Sequence, residues 1–104
     1  MAIYQVYYMK PAWFRNGIMG EQSHDISKTH IYLMEIEAAN KEDAFVRMQA
    51  ERWSPNGEAR ELIESKQLLH TSMSIGDALR DEQGRLWIAD KFGFRLHPND
   101  WSQP

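Results

Sequence analysis

The chain contains no cysteine among its 104 residues. This absence excludes a disulfide framework, a thiolate metal site and catalysis by a thiol, and it fits a reducing compartment. No apolar run approaches the roughly 18 residues that a membrane-spanning helix needs. The segment Met1 to Tyr8 has neither a basic region nor a small-residue cleavage site. We therefore expect a cytoplasmic protein without membrane contact.

A strong charge of either sign is also absent. Twelve basic and fifteen acidic residues give a net charge of −3, which is too acidic for a typical nucleic-acid-binding protein but compatible with a local basic patch. The sequence has no glycine-rich phosphate loop, no dinucleotide-binding fingerprint and no nucleophile elbow. We therefore expect no cofactor.

The composition that is present is that of an ordinary globular domain. Apolar residues make up 42% and charged residues 26% of the chain, and a chain of this length fits a single core. We predict one α+β domain over residues 1–104, with a mostly antiparallel sheet of four to five strands and two consecutive helices packed on one face. Residues 98–104 are expected to form a polar tail.

Residue alternation and β-branched content predict the strands. Apart from Gln5, residues 2–9 are apolar or aromatic in both alternating sets, as expected of an interior strand covered on both faces. Residues 29–37 predict a second strand, antiparallel to the first. Its predicted shared face consists of His30, Tyr32, Met34 and Ile36. Further strands are predicted at 68–73, 77–80, 85–90 and 91–97, and the pattern leaves open whether Asp90 and Lys91 form a turn or the middle of one bent strand.

The sequence makes more detailed predictions for three of these segments. In the segment 68–73, alternation predicts that Leu69, Thr71 and Met73 point inward. The segments 77–80 and 85–90 predict a hairpin in which Gly84 supplies a left-handed position.

The middle of the chain carries the helix signals. Asn40 can cap a helix that begins at Lys41 and, by its apolar spacing, continues to about Trp53. Ser54 and Pro55 then predict the start of a second, shorter helix. The predicted inner stripe of this second helix consists of Ala59, Leu62, Ile63 and Lys66.

The stretch from His70 to Asp77 is a dense group of polar residues. Ser74 and Asp77 have the spacing of a capping box, in which the hydroxyl accepts from the Asp77 N–H and the carboxylate accepts from the Ser74 N–H. Gly76 can adopt the positive φ of a sharp reversal. The spacing indicates a structural lock. The catalytic alternative is a small hydrolase that uses His70 with Ser72 or Asp77.

Part of the second half resembles a known family. The segment Leu69-His-Thr-Ser-Met-Ser-Ile-Gly-Asp77, followed by Leu-Trp-Ile-Ala-Asp90 and Gly93-Phe94, is similar to the Thr-Ser-x-Ser-x-Gly-Asp stretch and following hairpin of the YodL-like domains of plasmid, phage and other mobile-element proteins. The resemblance covers residues 69–94. It implies a small accessory domain of bacterial or mobile-element origin, in a family without an established activity, and it transfers no catalytic residue.

Residues 11–28 have no sustained helical or strand period. Irregular segments of this length in a small domain tend to be functional or mobile. The large apolar side chains of the segment are Trp13, Phe14, Ile18 and Met19. These side chains either fold back on the core or contact a partner. Arg15 beside the aromatic pair also allows a stacking and phosphate platform, which keeps nucleic acid as a candidate partner.

A metal site is not expected, because the spacing of His24, Asp25 and His30 matches neither a helical ligand pair nor a zinc knuckle. We predict a non-enzymatic interaction module that binds a protein, as a hetero-complex or a homodimer, or nucleic acid, through the 11–28 segment and the exposed sheet. The small hydrolase is the alternative. No catalytic residue is assigned. The candidate binding residues are Trp13, Phe14, Arg15, His70, Ser72 and Asp77.

Overall fold

A computed structural model describes residues 1–11 and 26–97 of the chain. The strands are β1 (Ala2–Met9), β2 (His30–Ala38), β3 (Ala78–Arg80), β4 (Leu86–Asp90) and β5 (Gly93–Leu96), and the helices are α1 (Ile26–Thr29), α2 (Lys41–Arg47), α3 (Ala50–Trp53) and α4 (Arg60–Ser65). The strands form one sheet in the order β2-β1-β3-β4-β5, and every pairing between neighbours is antiparallel. The predicted α+β class is confirmed. The predicted tail at 98–104 lies outside the described residues.

Strand β1 lies inside the sheet, as its two apolar sets predict. Val6 and Tyr8 pack into the main core together with Ala44 and Met48 from the helical region, so this side of the sheet is called the helix face. Tyr7, which belongs to the other alternating set, is buried on the opposite side, called the back face. The strand therefore contributes to a core on each side of the sheet.

Strand β2 contains a β-bulge that reverses its alternation. Met34 lies opposite Val6, whereas Tyr32 lies opposite Tyr7, so Leu33 is the additional residue between them. In the set His30, Tyr32, Met34 and Ile36, the side chains before the bulge share the back face with Tyr7, and those after it share the helix face with Val6. The single face predicted for this strand is therefore wrong, since it is divided between His30 and Tyr32 on the back face and Met34 and Ile36 on the helix face.

The start of the first predicted helix is confirmed. The side-chain oxygen of Asn40 accepts a hydrogen bond from the Asp43 N–H at 2.8 Å, so Asn40 is the N-cap of α2. Ala44 and Met48 are buried on the inner side of this helix. The capping residue and the apolar spacing are local features, which is why the sequence predicts them correctly.

The predicted continuous helix from Lys41 to Trp53 is wrong, because it is interrupted at Gln49, whose backbone is extended. Residues far along the chain supply hydrogen-bond partners at the interruption. The Met48 carbonyl accepts from the Met73 N–H at 3.1 Å, and the Ala50 N–H donates to Ser72 Oγ at 2.8 Å. A hydroxyl 22 residues away thus accepts the N–H of the first residue of α3.

The second predicted helix begins later than expected. The Ser54 hydroxyl accepts the N–H of Ala59 at 2.9 Å, and α4 itself begins at Arg60 rather than at Pro55. Ala59 and Ile63 are buried in the main core. The inward orientation predicted for these two residues is confirmed, although the start of the helix is not.

The strand predicted over 68–73 is absent from the structure. Helix α4 is followed by Gln67, which adopts a φ of 58°, a left-handed conformation that turns the chain. The turn buries Leu68 and leaves Leu69 83% exposed, so the predicted inward position of Leu69 is wrong. Met73 is buried as predicted. Alternation failed here because the segment does not pair with another strand.

The two hairpins at the end of the sheet agree more closely with the sequence. Strands β3 and β4 form the predicted hairpin, with Gly84 at a φ of 81° in the connection. The strand predicted over 91–97 starts at Gly93, because Asp90 pairs with Gly93 across a two-residue turn. Phe92 lies in that turn and is 99% exposed.

We predict that Ser72→Ala lowers the free energy of unfolding by about 1 kcal/mol, because the Ala50 N–H loses its acceptor. The Ala50 amide should also exchange its hydrogen faster. Ser65→Ala is the matched control, since its exposed hydroxyl donates to the Leu62 carbonyl within one helix. Urea unfolding measures both variants, and equal losses would contradict the assigned function of Ser72.

Candidate functional site

The turn at residues 74–77 connects the helical region to the sheet. The Gly76 N–H donates to the Ala89 carbonyl at 3.0 Å, and the Ala89 N–H donates to the Asp77 carbonyl at 2.8 Å, so the turn extends the pairing of β3 with β4. Gly76 has a φ of 98°, as predicted from its place in the reversal. The 74–77 turn is therefore fixed to the sheet by its backbone.

The Asp77 carboxylate is fully buried and forms three contacts. Oδ1 accepts from the Met9 N–H at the end of β1, and Oδ2 accepts from the Ser74 N–H, both at 2.8 Å. His70 Nε2 lies 2.8 Å from the same Oδ2. One carboxylate therefore joins the first strand, the turn and the segment that precedes the turn.

The predicted capping box is half confirmed. The carboxylate of Asp77 accepts from the Ser74 N–H as expected. The Asp77 N–H instead donates to the main-chain carbonyl of Ser74 at 3.0 Å, as in an ordinary tight turn. The Ser74 hydroxyl donates to the Ser72 carbonyl at 3.2 Å, so the predicted contact of this hydroxyl with the Asp77 N–H is wrong.

His70 is held by stacking as well as by the carboxylate. Its ring lies on the ring of Tyr8, with centroids 4.5 Å apart and planes 12° from parallel. The Tyr8 hydroxyl donates to the Thr71 carbonyl at 2.6 Å, and this carbonyl also accepts from Trp53 Nε1 at 3.1 Å. The His70 side chain is 18% exposed. It is therefore a restrained ring at the edge of the core.

Burial is the main cause of the shifted pKa values of Asp77 and Tyr8. Burial raises the pKa of the Asp77 carboxyl, and the hydrogen bonds from His70 and from the Met9 and Ser74 N–H groups oppose that rise. Burial also raises the pKa of Tyr8, and the neighbouring Asp77 charge adds to the rise. The Tyr8 phenol is therefore neutral and acts as a hydrogen-bond donor.

A second histidine holds the same turn from the back face. His30 Nε2 lies 2.7 Å from the Gly76 carbonyl, and Nδ1 lies 2.8 Å from the Thr29 hydroxyl. Since a carbonyl only accepts, Nε2 carries the proton and Nδ1 accepts from Thr29. Burial lowers the pKa of His30 to about 4, with a further lowering from His97 and an opposing effect of the Gly76 carbonyl. His30 is thus a neutral buried side chain that fixes the turn.

The structure brings together only part of the predicted set. His70 and Asp77 are in direct contact, whereas the Ser72 hydroxyl accepts from the Ala50 N–H. Three predicted binding residues, Trp13, Phe14 and Arg15, lie outside the described residues, as do His24 and Asp25. Within residues 1–11 and 26–97, no group of three or more histidine or acidic side chains is placed to hold a metal ion.

No local pattern predicts the contact of His30 with Gly76, because 46 residues separate the two.

No protein-family model matches the chain. Searches of curated proteins and of solved structures also give no match. In the part of the chain that the structure describes, no helix is long and apolar enough to cross a membrane.

We predict that Asp77→Asn lowers the free energy of unfolding by about 3 kcal/mol, since an amide cannot accept from all three donors and its own NH₂ lacks an acceptor. Glu82→Gln makes the same carboxylate-to-amide change at an exposed position and should stay within about 0.5 kcal/mol of the parent protein. Urea unfolding at neutral pH compares them. Similar stabilities of the two variants would contradict the assigned role of Asp77.

We predict that His30 makes the protein less stable in acid. Because its pKa falls from 6.5 to about 4 on folding, the unfolded chain binds a proton in this interval that the folded chain does not. The contribution of His30 to the free energy of unfolding should therefore fall by about 3 kcal/mol on acidification through that window, and it is complete above it. His30→Gln retains an amide donor for Gly76 and should flatten the slope. Urea unfolding across the window tests this, and an unchanged slope in the variant would be contrary to it.

Proposed function

We propose that the chain is a non-enzymatic interaction module that binds a protein partner through the β5 edge of its sheet, with residues 11–28 as a second contact. The observation that carries this proposal is the exposure of two large apolar side chains at that edge. Phe92 is 99% exposed in the turn before β5, and Leu96 is 51% exposed at its end. Exposed aromatic and aliphatic side chains at a sheet edge are typical anchors for a protein partner.

The backbone of β5 supports the same proposal. The His97 N–H donates to the Leu86 carbonyl at 2.8 Å, which fixes the hydrogen-bonding phase of the hairpin. By this phase, the N–H and carbonyl groups of Phe94 and Leu96 point away from β4. Within the described residues, no further strand pairs with β5. An extended segment of a partner can therefore add to this edge by main-chain hydrogen bonds.

The internal use of the polar cluster supports a non-enzymatic function. Asp77 accepts three contacts within the fold, and Ser72 accepts the Ala50 N–H. Among the described residues, every buried side-chain nitrogen or oxygen has a hydrogen-bond partner. A catalytic side chain usually keeps a hydrogen-bonding atom available for the substrate. The contacts of Asp77 and Ser72 are instead those of buried polar groups that stabilise the fold.

The resemblance of residues 69–94 to YodL-like domains supports an accessory function in a bacterial or mobile-element protein. The net charge of −3 favours a protein partner over nucleic acid, since phosphate binding requires an excess of basic side chains.

One observation favours the hydrolase as a second candidate. His70 Nε2 lies 2.8 Å from a buried carboxylate, and a carboxylate also orients the catalytic histidine of hydroxyl-nucleophile enzymes, although there it contacts Nδ1. In that case the purified protein should hydrolyse ester substrates, and His70→Gln should abolish turnover.

The module proposal is tested with Phe92→Asp/Leu96→Asp. Because buried anchors contribute about 2 kcal/mol each to an interface, the double variant should lose its partner from a native-host extract while its thermal midpoint stays close to that of the parent chain. Leu69→Asp is the matched control, since Leu69 is 83% exposed away from β5. It should capture the partner normally.

Trp13→Ala/Phe14→Ala should weaken the same capture if residues 11–28 contribute. Equal capture by the β5 double variant and the Leu69 control would contradict the module proposal, and His70-dependent hydrolysis would favour the alternative.

A further inference from the structure

Charged side chains of opposite sign lie at the two outer edges of the sheet. At the β5 edge, Lys91 is exposed in the turn before the strand. Lys41 of α2 lies with Nζ 4.0 Å from the ring centroid of Trp87, the β4 residue opposite Leu96. At the β2 edge, Glu35 and Glu37 are both exposed. Within the described residues, none of these four charged groups forms an ion pair. Glu42 also lies at the β5 edge, with Oε2 4.0 Å from the position that a Cβ of Gly93 would occupy. Two lysines and one glutamate at the β5 edge therefore face two glutamates at the β2 edge, so the two edges keep net charges of opposite sign.

The charges discriminate between the ways in which two copies can pair. Antiparallel pairing of β2 with β2 in a register centred on Ile36 would bring Glu35 of each copy opposite Glu37 of the other. Antiparallel pairing of β5 with β5 would place the two Lys91 side chains at opposite ends of the junction, so Lys91 does not decide for or against that pairing. Like charges at a strand edge oppose pairing, which is a common protection of edge strands. Pairing of β5 in one copy with β2 in another instead brings opposite charges together.

The faces of the sheet agree with this pairing. Strands β2 and β5 run in the same direction, because three antiparallel strands lie between them. Antiparallel addition of β5 to β2 therefore requires that the second copy be turned over, so that its back face continues the helix face of the first. Glu35 lies on the back face opposite Gln5, whereas Leu96 lies on the helix face opposite Trp87. The acidic side chains of one copy thus meet the Trp87 side of the other.

The inversion of successive copies also separates their helices. Helices α2 and α4 contribute Ala44 and Ile63 to the core on the helix face. Successive copies would place their helices on opposite sides of the continuous sheet. The helices of two neighbouring copies therefore do not clash.

We propose that the protein partner of the β5 edge is a second copy of this chain, which adds its β2 edge antiparallel to β5. The proposal rests on the interaction-module function and names its partner. Since the two contacting surfaces differ, each dimer keeps one free β5 edge and one free β2 edge. Association is therefore open-ended, and the average mass rises with concentration instead of stopping at a dimer.

Sedimentation velocity of the purified chain over a concentration series at low salt tests this directly. Mass should rise with concentration, and the rise should be suppressed at an ionic strength of about 1 M, where the Debye length is about 3 Å. Glu35→Lys/Glu37→Lys and Lys41→Glu/Lys91→Glu should each weaken self-association about tenfold or more, because attraction becomes repulsion. Far-UV dichroism and the thermal midpoint check that both variants are folded.

An equimolar mixture of the two charge-reversed variants should recover the mass growth, since every β2–β5 junction between them again joins opposite charges. A wild-type protein that stays monomeric at all concentrations, or a mixture that remains dissociated, overturns the proposal. A third outcome is that the chain does not self-associate while the Phe92→Asp/Leu96→Asp variant fails to capture a protein that the parent chain captures. In that case only the identity of the partner is wrong. If the wild-type chain does not self-associate and the Phe92→Asp/Leu96→Asp variant captures the same proteins as the parent chain, the interaction-module function is overturned as well.

Discussion

The buried carboxylate of Asp77 is the contact on which the rest of the structure depends. It accepts the last N–H of β1, closes the 74–77 turn through Ser74 and contacts His70. Burying an ionisable group destabilises the fold unless hydrogen bonds replace those that the group made with water. The partners of the Asp77 carboxylate therefore have to be in place together. His30 adds a second hold on the same turn through the Gly76 carbonyl. Strands that are distant in sequence are thereby fixed at one point.

The same contacts limit what the polar cluster can do. The Asp77 carboxylate and the Ser72 hydroxyl accept from backbone N–H groups, and the Ser74 hydroxyl donates to a backbone carbonyl, as expected of a structural lock. The exposed chemistry lies instead at the outer strands, where Phe92 and Leu96 are apolar and Glu35 and Glu37 are acidic. The interior thus accounts for stability, and the edges of the sheet support the proposed interaction.

The parts of the fold that the sequence predicts are those with local causes. Strand β1, the Asn40 cap and the positive φ of Gly76 each follow from a few adjacent residues. The bulge at Leu33 and the interruption at Gln49 depend on partners elsewhere in the chain. In the candidate site, the density of polar residues identified His70 and Asp77, but the convergence of His30 on the same turn is a tertiary contact with no local signal.

Native-state hydrogen exchange at the Met9 and Ser74 amides tests the central claim most directly, because both donate to the Asp77 carboxylate. If Asp77 is a structural lock, both amides should exchange only through global unfolding, with the same free energy as the core of β1. If the 74–77 turn instead belongs to a site that opens and closes, both should exchange through a local opening of much lower free energy. That second result would contradict the account.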